Sequence, residues 1–233
     1  MTWSLRSVAA PSFTSDARSG SGGLNVTLPT YSAGDLLVMI ASARPSNAYT
    51  VGSPPSGWTS LRDGTANETK LFGKIAVSSE ATPNITCSES GAFGACIAAF
   101  SGAPASISGV VHASALETSG GSLEQDIDTA ALTITEPQTL VIYAGAASGN
   151  EWIAGTQPNS SSILCGSNFA GDYNNIWLAF SYAIQTTAAS VGASKFNSTS
   201  TNTVRTNAIT ASLLPGASTA AAAHHYYRGL LVR

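Results

Sequence analysis

The chain has 233 residues, of which 10 % are charged and 43 % are hydrophobic, and its formal net charge is −3. Soluble domains average about 25 % charged residues, but this hydrophobic content is too high for a disordered chain. The ten Lys and Arg residues are scattered, whereas nucleic-acid-binding proteins carry clustered basic patches. The composition therefore favours a particle component or an extracellular domain over a metabolic enzyme, and it argues against nucleic acid as a partner.

Short apolar or alternating runs recur along the chain, separated by Gly, Pro, Ser and Asn. Most of them are about five to nine residues long and rich in Val, Ile, Leu, Phe and Thr, as β-strands are. No segment combines a 3.6-residue apolar period with helix caps. The pattern predicts an all-β protein, an antiparallel sandwich or barrel without βαβ units. The clearest runs are 24–28, 36–43, 70–77, 95–100, 132–134, 140–146, 176–184 and 208–214.

Five segments of the first half match five segments of the second half in the same order. The matched positions stay roughly 108 residues apart while the connections change in length, which is typical of an internal repeat. We therefore predict one domain at 1–216, with repeat 1 at about 1–109 and repeat 2 at about 110–216. The matches are 24–29 with 132–137, 35–41 with 139–145, 48–52 with 151–155, 70–76 with 177–183, and 97–102 with 210–216.

Two architectures would accommodate such a duplication. Each copy could close its own small sandwich, or the copies could interleave so that each supplies strands to both sheets of one larger sandwich. The junction at 102–109 is short and partly apolar, unlike a flexible linker. Separate halves would also leave open sheet edges that need protection. We therefore expect a single antiparallel sandwich with interleaved copies.

Four short motifs follow one another in the first half: GDLLV at 34–38, PPSGW at 54–58, FGKIA at 72–76 and AAFSG at 98–102. In this order they resemble a duplicated, jelly-roll-like β-sandwich family encoded among the virion genes of tailed bacteriophages and prophages. The resemblance covers roughly residues 20–216. It implies a non-enzymatic structural protein of the virion: a capsid decoration, a head fibre or a minor tail subunit. The implied partners are other capsid or tail proteins and further copies of the chain.

The first residues do not combine positive charge with an apolar stretch, and no apolar run approaches the ~18 residues of a membrane span. We therefore expect synthesis in the host cytoplasm without a signal peptide, and no membrane partner.

The cysteines Cys87, Cys96 and Cys165 match no zinc signature. A hairpin could place Cys87 opposite Cys96, but small buried thiols in a reducing compartment are the favoured interpretation.

Candidate catalytic groups are sparse. His112 is the only histidine within the repeats, and its alternating neighbours favour a solvated or core-edge side chain over a base for a serine nucleophile. Glu124, Asp126 and Asp128 alternate, which would place Asp126 and Asp128 ~6.6 Å apart along a strand. Surface charge is favoured there over glycoside cleavage or a calcium site. We expect no enzyme activity, no bound metal and no cofactor.

Aromatic and amide side chains near predicted turns indicate a second class of function, a carbohydrate-binding module that recognises a host surface glycan. Its candidate residues are Asn150, Trp152, Asp172 and Tyr173, which would form a shallow site if their loops converge. The favoured role of the aromatic side chains in the loops is packing within the protein rather than glycan binding. Trp58 follows a rigid Pro-Pro-Ser-Gly turn, and we expect it to anchor the core rather than bind a ligand.

The segment 217–233 lies outside the repeats, and we predict that it docks the protein onto a neighbouring subunit. Its apolar residues lie close together: Tyr226, Tyr227, Leu230, Leu231 and Val232. Burying one Leu or Val side chain contributes ~1.5–3 kcal/mol, so several together could offset the entropy of ordering a short segment. The alternative is a last strand or turn that packs on its own subunit.

Overall fold

The computed structural model describes residues 2–16, 22–44, 49–64, 68–118, 125–148, 158–169, 176–197 and 205–216. These residues form fifteen β-strands and one short 3-10 turn at Pro158–Ser160. The strands are β1 (Ser4–Val8), β2 (Ser12–Asp16), β3 (Leu24–Asn25), β4 (Leu36–Ala43), β5 (Thr59–Asp63), β6 (Thr69–Ile75), β7 (Asn84–Ile85), β8 (Ser90–Ser101), β9 (Val111–Thr118), β10 (Ile127–Thr129), β11 (Thr139–Ser148), β12 (Ser162–Phe169), β13 (Ile176–Gln185), β14 (Ser194–Phe196) and β15 (Thr206–Leu213).

Two large antiparallel sheets pack face to face. The first sheet has the strand order β1-β8-β4-β6-β5, with β2 also paired to β8, and the second has the order β9-β15-β11-β13-β12. In the packed sandwich β4 faces β11, β8 faces β12 and β13, and β15 faces β5 and β6. The predicted all-β antiparallel sandwich is therefore confirmed. Within the described part of the chain, no helix is both long enough and apolar enough to cross a bilayer.

Each half of the chain builds one of the two sheets. The strands of the first sheet lie between Ser4 and Ser101, and those of the second lie between Val111 and Leu213. The expectation that the halves interleave is therefore wrong, and the connectivity differs from that of a jelly roll, in which the chain passes back and forth between the sheets. Strands that are close in sequence pair readily with one another, so the chain completes one sheet before it crosses at 102–110 to start the other.

The two sheets share one strand order when β9 is matched with the edge formed by β1 and β2. The central strands also agree in register, because Leu36 on β4 pairs with Phe100 and Leu140 on β11 pairs with Leu213. The sequence matches of the two halves place these two pairs in equivalent positions. This agreement supports the internal duplication, which stays a prediction.

The central strands are buried along their whole length and mostly apolar, because they are covered on both faces. In β4, Leu36, Val38 and Ile40 face the second sheet, whereas Leu37 and Met39 face the opposite side. Two-sided burial explains why the sequence shows near-continuous apolar runs instead of alternation. We call the cluster between the sheets the inner core; it includes Trp3, Leu36, Ile40, Cys96, Phe100, Leu140, Ile142, Cys165, Leu178, Phe180 and Leu213.

A short strand pair covers the outer face of each sheet. The pair β3–β7 lies over the first sheet and the pair β10–β14 lies over the second. The first outer cluster includes Leu24, Val26, Leu37, Met39, Trp58, Phe72, Ile85 and Cys87. The second outer cluster includes Ile127, Leu132, Val141, Tyr143 and Phe196. The sandwich therefore has four layers, with three apolar clusters between them.

Candidate functional site

The two ends of the sandwich differ in how their strands are connected. At one end, which we call the distal end, β4 finishes at Ala43, β6 begins at Thr69, β11 finishes at Ser148 and β15 begins at Thr206. The internal segments outside the described residues each adjoin a strand that terminates at this end. They are 17–21, 45–48, 65–67, 119–124, 149–157, 170–175 and 198–204.

The opposite end, which we call the proximal end, is closed by hydrogen bonds between distant parts of the chain. Trp3 Nε1 donates to the carbonyl oxygen of Leu213 at 3.2 Å, and Gly216 N donates to the carbonyl oxygen of Gly102 at 2.9 Å. Gly102 has φ +94°, a left-handed conformation that favours glycine. The segment 217–233 therefore begins at the proximal end.

Four buried polar residues join the two sheets at the distal end: Ser42 on β4, Glu68 and Thr69 at the start of β6, and Asn207 on β15. Ser42 Oγ lies 2.7 Å from Thr69 Oγ1, and the Thr69 hydroxyl donates to Asn207 Oδ1. Asn207 Nδ2 in turn donates to Glu68 Oε2 at 3.2 Å. Glu68 is only 5 % exposed and Asn207 only 3 %. We call these four residues the inter-sheet polar cluster.

The hydrogen bonds of this cluster serve structure rather than nucleophilic chemistry. A nucleophilic hydroxyl needs a base that accepts its proton, but the Thr69 hydroxyl donates to an amide oxygen and the Glu68 carboxylate accepts from an amide. Ser42 Oγ lies 2.9 Å from the carbonyl oxygen of Ala43 and 3.1 Å from that of Glu68. Burying a carboxylate is costly unless donors satisfy it, and Asn207 supplies one. The cluster can therefore hold the distal edges of the sheets at a fixed spacing.

The predicted acidic pair lies on the second outer strand pair, away from this cluster. Lys195 Nζ donates to Asp126 Oδ2 at 2.6 Å, and Asp128 is the register partner of Lys195. The hydrogen bond with Asp126, together with the charges of both aspartates, raises the pKa of Lys195. Glu124 lies outside the described residues. Lys195 thus forms an ion pair with Asp126 and lies beside Asp128.

Neither a metal site nor a free histidine base is found among the residues that the structure describes. No group of three or more His, Cys, Asp or Glu side chains in these ranges could hold a metal ion. His112, on the edge strand β9, accepts a hydrogen bond at Nε2 from Thr135 N at 3.1 Å. Its Nε2 atom also lies 3.0 Å from Thr135 Oγ1. This partly buried position agrees with the predicted core-edge histidine.

The predicted glycan-binding and docking residues lie outside the described residues. The strands that flank the glycan candidates nevertheless end next to one another, because Ile176 is the register partner of both Ser148 and Phe169. The segments 149–157 and 170–175 are therefore attached to neighbouring strand ends of the second sheet, at the distal end. The residues concerned are Asn150, Trp152, Asp172 and Tyr173 for the glycan site, and Tyr226, Tyr227, Leu230, Leu231 and Val232 for docking.

Two loop aromatics of the first half pack on the first outer cluster. Trp58 is 8 % exposed, and its backbone N–H donates to the carbonyl oxygen of Pro55 at 2.9 Å, which closes the turn that precedes β5. Tyr49 is partly buried against the same cluster and lies over Gly91. These positions agree with the predicted role of Trp58 as a core anchor.

The three cysteines are buried, and none of them forms a disulfide bond. Cys87 belongs to the first outer cluster and pairs with Val51, whereas Cys96 belongs to the inner core and pairs with Ile40. The suggestion that a hairpin places Cys87 opposite Cys96 is therefore wrong, because the two side chains lie on opposite faces of the first sheet. Cys96 instead meets Cys165 of the second sheet, a pairing that their separation in sequence concealed.

Sequence reasoning also missed the inter-sheet polar cluster. Asn207 stands at the start of an otherwise apolar run, and Glu68 directly precedes another strand, so polar residues at strand ends were the available signal.

Comparison with known proteins adds no functional assignment for these residues. No protein-family model, no curated protein and no solved structure matches the chain.

Proposed function

We propose that the chain is a non-enzymatic accessory subunit of a tailed-bacteriophage particle: a capsid decoration, a head fibre or a minor tail protein. The observation that carries this proposal is the difference between the two ends of the sandwich. The apolar segment 217–233 begins at the proximal end, beside Gly102 and Gly216. The two longest connections between strands, 44–58 and 149–161, leave from the distal end. A subunit that docks through its proximal end would present the distal end to the surroundings.

The internal bonding of the sandwich suits a protein that acts by shape. Both faces of each large sheet are covered, and the sheets are joined at both ends, by Trp3 and Leu213 proximally and by Thr69 and Asn207 distally. The hydroxyl groups of the inter-sheet polar cluster form hydrogen bonds within the sandwich. A structural function does not require them to react. Low charge and a Ser- and Thr-rich exterior also fit many weak contacts between neighbouring subunits.

The test is whether the chain is part of particles. Antibodies raised against the purified protein are used on particles that are released by the strain encoding it and purified on a density gradient. We expect the chain to co-sediment with the particles, and immunogold to mark the capsid or the tail. A chain that stays at the top of the gradient, with unlabelled particles, would refute the proposal.

A truncated chain lacking 217–233 separates docking from folding. We expect it to keep the wild-type melting temperature while losing oligomer formation and attachment to the particle. A full-length control with Tyr226→Ser, Tyr227→Ser and Leu230→Ser keeps the length of the segment but not its apolar surface, and it should behave like the truncation. If the truncated chain fails to fold, the segment belongs to the core of its own subunit.

The second candidate is a carbohydrate-binding module that recognises a host surface glycan. The observation in its favour is that the segments carrying Asn150, Trp152, Asp172 and Tyr173 are attached to paired strand ends at the distal end. An array of bacterial surface polysaccharides tests it. Binding that is lost on Trp152→Ala but kept on Tyr49→Ala would favour the module, and an array without signal would exclude it.

A further inference from the structure

Two unbonded cysteines meet in the inner core from opposite sheets. Cys96 is on β8 of the first sheet and Cys165 is on β12 of the second, and they are 0 % and 5 % exposed. Cys96 Sγ donates to the carbonyl oxygen of Ala9 at 3.5 Å, and Cys165 lies close enough to influence the Cys96 thiol. The third cysteine, Cys87, lies on the other side of the first sheet.

The sheets approach each other closely at this point. Facing sheets usually stand about 10 Å apart, whereas the Cα atoms of a disulfide lie about 4.4–6.8 Å apart. On β8 the inward residues around Cys96 are small: Ala92, Gly94 and Ala98. A Cβ atom added to Gly94 would lie 2.9 Å from Leu178 Cδ1 of the second sheet. Some Cα atoms of β8 lie within 8 Å of Cα atoms of β12, which is closer than the usual spacing of facing sheets.

We propose that Cys96 and Cys165 are an oxidation site at which a disulfide bond joins the two sheets when the folded chain meets a small disulfide oxidant. Disulfides between facing sheets are an established way to link a β-sandwich. The bond would add a covalent link to the hydrogen bonds at the two ends. The inference does not depend on the proposed function. It concerns any setting in which a chain folded with free thiols later meets oxidising conditions.

The reaction is a pair of thiol–disulfide exchanges with the oxidant, oxidised glutathione for example. Cys165, the less buried of the two, loses its proton to solvent and attacks one sulfur of the oxidant, which releases one glutathione thiolate. Deprotonated Cys96 then attacks Cys165 in the mixed disulfide, which forms the Cys96–Cys165 bond and releases the second glutathione. Two protein thiols are oxidised, and one small disulfide is reduced to two thiols.

The environment of Cys96 makes the reaction slow in the closed sandwich. The neighbouring Cys165 thiol and burial both raise the pKa of Cys96, and the thiolate is the reactive form. Oxidation should therefore speed up with rising pH and with conditions that open the sheets transiently. The same burial should then protect the finished bond from external reductants.

The experiment exposes the purified full chain to oxidised glutathione at pH 8, with and without a sub-denaturing concentration of urea. We expect titratable thiols to fall from three to one, faster with urea, and a peptide map to show Cys96 linked to Cys165. A bond closing a loop of about 70 residues should raise the melting temperature by about 10 °C. A reductant added to the unfolded chain should restore three titratable thiols. After refolding, the melting temperature should return to that of the reduced protein.

Single alanine variants give the matched controls. Cys87→Ala should still form the bond and show the full rise in melting temperature, whereas Cys165→Ala should form no intramolecular bond. If Cys165→Ala does not fold, Cys165→Ser provides the same comparison. A link that contains Cys87, three free thiols after refolding in the presence of the oxidant, or a bonded species no more stable than the reduced chain would each overturn the proposal.

Discussion

Asn207→Ala tests whether the inter-sheet polar cluster holds the distal ends of the sheets together. The substitution removes the acceptor of the Thr69 hydroxyl and one donor to the Glu68 carboxylate. A neutral hydrogen bond contributes about 1 kcal/mol to stability, and a bond to a charged group about 1.5–3 kcal/mol. We therefore expect the free energy of unfolding to fall by about 3 kcal/mol.

Urea denaturation followed by tryptophan fluorescence measures this loss. The midpoint should fall while the slope stays unchanged, because the surface exposed on unfolding is the same. For a chain of this size the melting temperature should drop by about 6–12 °C. The matched control is Asn84→Ala, which removes two exposed hydrogen bonds, from Asn84 Nδ2 to the carbonyl oxygen of Gly22 and to Asn25 Oδ1. We expect it to cost less than about 1 kcal/mol.

A double-mutant cycle measures how much the charge of the Glu68 carboxylate contributes to the hydrogen bond with Asn207. In a Glu68→Gln background the bond from Asn207 is no longer made to a charged group, so Asn207→Ala should cost about 1 kcal/mol less than in the wild type. Equal costs in the two backgrounds, or an Asn207→Ala loss no greater than that of Asn84→Ala, would refute the structural role of the cluster.

Three further predictions concern the sandwich itself. Residues 1–105 expressed alone should show no cooperative thermal transition by circular dichroism, because the inner face of the first sheet would be exposed; a sharp transition would contradict this. Trp58→Ala should cost on the order of 3–5 kcal/mol, since it empties a buried aromatic site; an unchanged melting temperature combined with lost ligand binding would reverse the assignment. Burial raises the pKa of Tyr143 above its ordinary value of 10.0, although the hydrogen bond from Asn159 lowers it. The stability contributed by neutral Tyr143 is therefore complete below pH 10 and is lost as the pH rises towards the folded-state pKa. Melting temperatures should fall more steeply above pH 10 in the wild type than in Tyr143→Phe, and parallel curves would contradict the assignment.

Local pattern was enough to place the central strands. The apolar run 36–43 coincides with β4, 140–146 lies within β11, and 176–184 lies within β13. Such runs can be recognised because strands covered on both faces need apolar side chains at nearly every position. The edge strands β2 and β12 were missed, because their mixed sequences become strands by pairing with β8 and β13. Position in a sheet, rather than propensity, decides their conformation.

The sequence by itself determined the all-β class, the central strands and the burial of Trp58, since each depends on neighbouring residues in the chain. Tertiary structure decided that each half forms its own sheet, and it set Glu68 beside Asn207, 139 residues away. It also paired Cys96 with Cys165 instead of bringing it near Cys87. These contacts depend on how two finished sheets pack, and the alternation along one strand specifies which side chains face inward but not which residue of the other sheet they meet.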